Sequence, residues 1–339
     1  MKDKSTIALI LSIASLSLMI FIFATTKSSA NKDSKSQSKE ATNETKRPLA
    51  SAAQISKHYS PQIPDTLSFA GERVPLDIYY VREGLDREMI VNTFSHSSTI
   101  LYFKRAHRYF PIIEPILKKN GIPSDFKYLC VIESSLTNAT SPQKARGFWQ
   151  FIKPTAQTYG LDVNEEIDMR NHLESATEAA CKFLKVLHDH LGSWTAAAAA
   201  YNCGETGLSN NMNKQSSFNY YDTRLNPETA RYVYRILAVK QIMQHPQEYG
   251  FYLRHCDLYP SLPYRVVTLT GQNVDLYAFA KKNGTSYKML REFNPWIMTD
   301  KLTNKANKTY RLKLPVADGT LLRNIITERD TSKAFITRM

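Results

Sequence analysis

Between Asp65 and Tyr249 apolar side chains recur at helical spacing, and strand-like alternation is scarce. Ser97 to Leu117 carries the pattern clearly, as does Glu174 to His190 through Ala176, Ala180, Phe183, Leu184 and Leu187. Proline and glycine punctuate it at Pro111, Gly121-Ile122-Pro123, Gly160 and Gly192. Stripes of this kind are buried by packing helix on helix, so a mainly α unit is expected. Beyond Pro260 and Pro263 the signal changes to strand (Tyr264 to Leu269), helix (Val274 to Asn283), helix (Tyr287 to Phe293) and strand (Tyr310 to Leu314). This small β-α-α-β unit of roughly fifty residues is near the lower limit for an independent core, so it is expected to lean on the helical unit.

The N-terminus sets a second constraint. Ser5 to Thr26 contains no charged residue, and as a helix it would span about 33 Å, enough for a bilayer core. It reads as a membrane-directing segment, an uncleaved anchor or a signal peptide with small residues at Ser28-Ser29-Ala30. Residues 27–60, rich in Ser, Lys, Asn and Ala, read as a disordered spacer. The expected organisation is thus a signal segment (1–26), a linker (27–60), a helical domain (61–255, with its motifs in 115–240), the β-α-α-β unit (262–316) and a C-terminal tail (317–339).

The formal net charge of +13 points to polyanionic surroundings, which nucleic acid, anionic lipid or the acidic peptides of a cell wall could all supply. No compact basic cluster interleaved with aromatics is present, which argues against a nucleic-acid partner. The four cysteines, Cys130, Cys181, Cys203 and Cys256, lack metal-ligand spacing, so neither a metal nor another cofactor is expected. Cys130 and Cys181 lie in apolar helical patterns and read as small buried hydrophobes.

Chemistry concentrates in four segments. Ser124 and Asp125 are candidate N-caps for a helix running through Phe126-Lys-Tyr-Leu-Cys-Val-Ile to Glu133-Ser134. Phe126, Leu129 and Cys130 share a face with Glu133, so desolvation should raise its pKa toward the range a general acid needs. On this segment alone, a structural carboxylate that caps or pairs at a helix end is the favoured reading. Gly147-Phe148-Trp149-Gln150-Phe151 is a glycine-led aromatic run with one amide, able to form a sugar-binding wall or to fill a core. Trp194 to Gly204 is a slim alanine helix ending on Tyr201, Asn202 and the stop Gly204. The fourth segment is Glu228-Thr-Ala-Arg-Tyr232-Val-Tyr-Arg-Ile236.

In this order, Glu133-Ser134, Gly147-Phe148-Trp149-Gln150, Ala200-Tyr201-Asn202 and Tyr232 resemble the motifs of the lytic transglycosylase family of lysozyme-like enzymes, over roughly residues 65–250. Phe148 stands where that family usually has leucine. The C-terminal unit resembles a LysM domain, a glycan-binding family, in Tyr264-Arg-Val-Val, Leu290-Arg-Glu-Phe-Asn294-Pro295 and Tyr310-Arg-Leu-Lys-Leu-Pro315. The Gly-Asp-Thr turn usual after the first strand is replaced around Gly271-Gln272-Asn273.

The resemblance implies a peptidoglycan lyase with Glu133 as acid and then base, giving a 1,6-anhydro product. It implies substrate contacts from Ser134, Trp149, Gln150, Tyr201, Asn202 and Tyr232. It also implies peptidoglycan strands as partner, with cell-wall synthesis or division proteins as candidate associates. The location implied is the periplasmic face of a Gram-negative type envelope, with anchoring through residues 5–26. Two readings compete. A hydrolytic lysozyme would use a second carboxylate, for which Asp162, Glu165, Glu166 and Asp168 are candidates, although their segment reads as a solvated loop. A catalytically inert wall-binding protein would keep the cleft only to hold glycan.

Overall fold

The computed structural model describes residues 59–316 and 326–339. The expected signal segment, nearly all of the linker and residues 317–325 lie outside them. A short hairpin, β1 (Ser68–Phe69) and β2 (Glu72–Arg73), leads into α1 (Tyr79–Phe94) and α2 (His96–Lys119). Then follow α3 (Phe126–Ser134), α4 (Lys153–Thr158), α5 (Leu173–Leu191), α6 (Trp194–Cys203), α7 (Glu205–Gln215) and α8 (Pro227–Gln244). The unit is mainly α, as its periodicity implies. No helix among the described residues is long and apolar enough to cross a membrane.

One punctuation mark misleads. Pro111 does not end a helix; α2 runs through both Pro111 and Pro115. Each proline removes a hydrogen bond at a cost of about 3 kcal/mol. The buried stripe Phe103, Ala106, Phe110, Ile113 and Leu117 stays in phase across them, and burial at about 1.5–3 kcal/mol for each large side chain outweighs that loss.

At the centre, α6 presents Ala196 to Ala200, all essentially buried, so that neighbouring backbones approach closely. Its N-terminus is capped twice. Ser193 Oγ accepts from Ala196 N, and the Glu72 carboxylate, from the distant hairpin, accepts from Trp194 N (2.6 Å) and Thr195 N (2.8 Å) and from the Ser193 and Thr195 hydroxyls. Burial by itself would raise the pKa of Glu72, but these donors at a positive helix end hold it below the usual value. The α1 and α8 helices also pack closely, since a Cβ at Gly84 would fall 2.8 Å from the Tyr234 ring.

Asp125 precedes α3 but does not cap it with its side chain. Its carboxylate instead accepts from Ala70 N (2.8 Å) and Lys240 Nζ (2.7 Å), and Lys240 also donates to Ser68 O. A mostly buried ammonium is a stronger partner than a neutral helix-end amide, so the ion pair wins. It joins the hairpin, α3 and α8.

The C-terminal unit comprises β3 (Tyr264–Leu269), β4 (Val274–Asp275), α9 (Leu276–Lys282), α10 (Tyr287–Phe293), β5 (Lys301–Leu302) and β6 (Tyr310–Pro315). Strands β3 and β6 pair antiparallel from Tyr264↔Pro315 to Leu269↔Tyr310, and β4 pairs with β5. Asn294, fully buried, bonds Lys313 N and O like an added strand residue and fixes α10 to β6. The unit has its own core of Leu269, Leu276, Leu290, Trp296, Ile297, Leu302, Leu312 and Leu314. It does lean on the helical unit. The acidic segment 162–168, expected as a solvated loop, forms much of that seam: Lys308 pairs with Asp162, Thr303 N donates to Glu166, and Ile167 is buried in the C-terminal core.

Candidate active site

Glu133 occupies the last turn of α3, and the chain then leaves the helix through two left-handed residues, Ser135 and Leu136. Across from it, Tyr232 of α8 donates its hydroxyl to Glu133 Oε1. Burial drives the Glu133 pKa up to about 7. The Tyr232 hydrogen bond and the positive Arg235 oppose that rise, and the negative Glu228 adds to it. Such a carboxyl exchanges its proton near neutral pH, as acid–base work requires.

Arg235 and Glu228 received no role from the sequence. They lie on the Tyr232 face of α8, Arg235 pairs with Glu228 at 2.5 Å, and its guanidinium sits 5.9 Å from the Tyr232 ring centre. The signal was available as the 228, 232, 235 spacing, but spacing alone does not say which helix face meets Glu133.

The remaining expected residues divide into two groups. Tyr201, at the end of α6, lies beside Glu133; burial first, and then the negative charge of Glu133, raise its pKa well above the ordinary value, and its hydroxyl donates to Trp149 O at 2.7 Å. Asn202 accepts from Thr229 Oγ1 of α8 (2.9 Å). Gln150 adopts a left-handed backbone (φ 48°), and its amide donates to Ala139 O and Gly147 O. Ser134 is buried and its hydroxyl bonds Cys130 O within α3, so it supports the helix end and does not touch the Glu133 carboxylate by a hydrogen bond.

Trp149 is a correction. It is wholly buried, with Nε1 donating to Thr177 Oγ1 at 2.9 Å, and Phe148 and Phe151 are buried with it. The aromatic run is core and not a sugar-facing wall, because its rings pack against Tyr109, Phe183 and Tyr201 from three different elements. Trp149 bears on the site through its backbone carbonyl, which anchors Tyr201. Cys130 and Cys181 are buried free thiols, in keeping with their apolar settings.

Three of the four candidate second carboxylates are committed to other partners. Asp168 is clamped by Arg146 (3.0 Å) and Arg170 (2.7 Å), Asp162 by Lys308 (2.7 Å), and Glu166 by the Thr303 amide. Glu165 is exposed.

A mainly helical unit with one desolvated glutamate at a helix end, followed by a β-α-α-β unit, matches two known families. Residues 110–223 match the Transglycosylase SLT domain, and residues 265–318 match the Soluble lytic transglycosylase C-terminal LysM-like domain. Three of the four motifs, Glu133-Ser134, Gly147 to Gln150 and Ala200 to Asn202, fall inside the first match, and Tyr232 lies beyond it. Among individual proteins, the chain is 28% identical over 239 residues to Membrane-bound lytic murein transglycosylase D of Escherichia coli (strain K12), and equally to that of E. coli O6:H1 (strain CFT073). The match covers 68% of this chain and 51% of each relative, so the chain spans about half the length of the curated relatives it matches.

Proposed function

We propose that the chain is a peptidoglycan lytic transglycosylase with Glu133 as its single acid and base. The observation that carries this reading is the desolvated Glu133 carboxyl, held by Tyr232, with its pKa near 7. In this mechanism protonated Glu133 gives its proton to the oxygen linking N-acetylmuramic acid to N-acetylglucosamine, and the anomeric C–O bond breaks. The substrate's own acetamido oxygen stabilises the positive anomeric carbon, as in other substrate-assisted cleavages. The muramoyl 6-hydroxyl then attacks that carbon, and the Glu133 carboxylate removes the hydroxyl proton. Glu133 is thereby restored, no water is consumed, and the product is a 1,6-anhydro sugar.

In this reading Tyr232 aims Glu133, while Gln150, Tyr201 and Asn202 line the place where the acetamido group sits. Ser134 and Trp149 hold those groups from behind. The engagement of Asp162, Glu166 and Asp168 by other partners favours a one-carboxyl reaction over a two-carboxyl hydrolase, and the product analysis below tests the exposed Glu165 along with them. The relatives' printed names support a cell-envelope setting with peptidoglycan strands as the partner, while anchoring through residues 5–26 rests on the charge-free run there.

The test is mass spectrometry of purified peptidoglycan after digestion, with Glu133→Gln as control. Anhydro ends from the parent chain and none from the variant are expected. Reducing ends would establish a lysozyme, and equal digestion by Glu133→Gln would remove the assigned chemistry. Binding without cleavage by both would leave an inert scaffold.

A further inference from the structure

Residues 162–171 belong to two cores at once. Val163 is buried in the helical core, Ile167 in the C-terminal core, and Met169 packs on both. The C-terminal unit grips the segment through backbone bonds: Asp168 N donates to Trp296 O (2.8 Å), Met298 N donates to Glu166 O (2.8 Å), and Ile167 bridges Ile297 antiparallel. Thr303 N adds two bonds to the Glu166 carboxylate.

Asp168, almost fully buried, then passes this grip on. Its carboxylate accepts from Arg170 Nε (2.8 Å), Arg170 Nη2 (2.7 Å) and Arg146 Nη1 (3.0 Å). Burial would raise its pKa, but the two guanidiniums hold it below the usual value. Arg170 Nη1 in turn donates to Lys144 O and Phe151 O, the two ends of the loop that carries Gln150. Gly147 lies so close to the Arg170 backbone that a Cβ would stand 1.9 Å from its carbonyl oxygen.

That loop needs support. Three of its eight residues, Lys144, Gly147 and Gln150, have positive φ, and for a residue other than glycine that geometry costs about 1–2 kcal/mol. Its backbone also reaches the candidate active site at two points. Trp149 O anchors Tyr201, and Phe148 O accepts from Cys130 Sγ at 3.3 Å, one helical turn before Glu133.

We propose that the C-terminal unit is a fixed part of the active site: by clamping residues 166–168 it sets the Asp168–Arg146–Arg170 cluster, which holds the 144–151 loop in its strained working shape. Asp168 is a positioning residue, acting through Arg146 and Arg170. The unit's role is then to brace the loop, a role separate from glycan capture by a tethered module. The kinetic part of this inference rests on the function proposed above; the structural part does not.

The test uses the full chain with Ile297→Asn, which breaks the seam from the C-terminal side, and Glu166→Ala, a milder change at a half-buried side chain that keeps the proposal testable if the first variant does not fold. Backbone hydrogen exchange is followed in 144–151, with α2 and α5 as internal references, and kcat and KM are measured on a defined peptidoglycan oligomer. The Arg146 and Gly147 amides should exchange about tenfold faster while α2 and α5 keep their parental rates. The value of kcat should fall about tenfold or more, with KM within about twofold. Loss of protection at Asp168 and Met298 with unchanged exchange in 144–151 would overturn the brace. A parent chain inactive on peptidoglycan would overturn the proposed function and leave the exchange result to decide the brace alone.

Discussion

The Tyr232 hydroxyl donates to Glu133 Oε1 from a helix almost one hundred residues further along the chain. Tyr232→Phe should remove that donor while keeping the ring in the core. The carboxyl then loses a bond that favours its charged form, so its pKa rises further. Activity on peptidoglycan should fall about 10- to 100-fold. Carbon-detected NMR of the Glu133 carboxyl gives the pKa, and an unchanged titration would refute the assigned role.

Glu133 also sets a pH dependence of stability. Its folded pKa, about 7, lies above the ordinary glutamate value of 4.5, so the folded chain holds a proton that the unfolded chain has released between those values. The cost of burying this carboxylate is absent below about pH 4.5 and grows until pH passes 7. Glu133→Gln should therefore be more stable than the parent by up to about 3 kcal/mol at pH 8, and equal to it at pH 4. Urea unfolding at the two pH values checks this, and equal stability at pH 8 would show that the carboxyl is not desolvated.

Arg235 should restrain the pKa of Glu133. Tyr232, Glu228 and Arg235 face Glu133 from α8, Tyr201 does so from α6, and Cys130 from α3 itself. Among these Arg235 is the positive group. Arg235→Gln should move the alkaline limb of the kcat/KM profile to higher pH, because the acid stays protonated longer, and Arg235→Lys should largely restore it. Identical limbs in the parent and Arg235→Gln would show that the guanidinium does not act on Glu133.

Glu72→Ala should destabilise the chain by about 2–3 kcal/mol through loss of the remote cap on α6. Because the Glu72 pKa is lowered in the folded state, its contribution is present at neutral pH and disappears as pH falls through that lowered value. The gap between parent and variant in chemical denaturation should close in acid. A gap that stays constant down to pH 2 would contradict the capping account.

What was readable in the sequence is local. Residues 97–117 and 174–190 read as helices because their apolar stripes repeat within a few turns, and they fold as His96–Lys119 and Leu173–Leu191. Tyr264–Leu269 and Tyr287–Phe293 follow from alternation and spacing in the same way, and Gly204 ends α6 with a positive φ that few other residues tolerate. Glu133 beside Phe126, Leu129 and Cys130 signalled a desolvated carboxyl because one helix face contains all four residues.

Tertiary structure decided the rest, for one physical reason: spacing in a short window says which residues share a face but not what that face meets. Trp149 became core because Thr177, 28 residues away, accepts its N–H. Asp125 abandoned capping for Lys240, and Glu72 took the cap of a helix more than a hundred residues later. The acidic run at 162–168 became a seam because complementary amides and lysines arrive from beyond residue 295. The sequence by itself determined the helices and strands with clear local patterns and placed Glu133 at a helix end; folding determined the tyrosine and guanidinium beside it and the contacts between residues 162–168 and the C-terminal unit, since those exist only once distant segments are brought together.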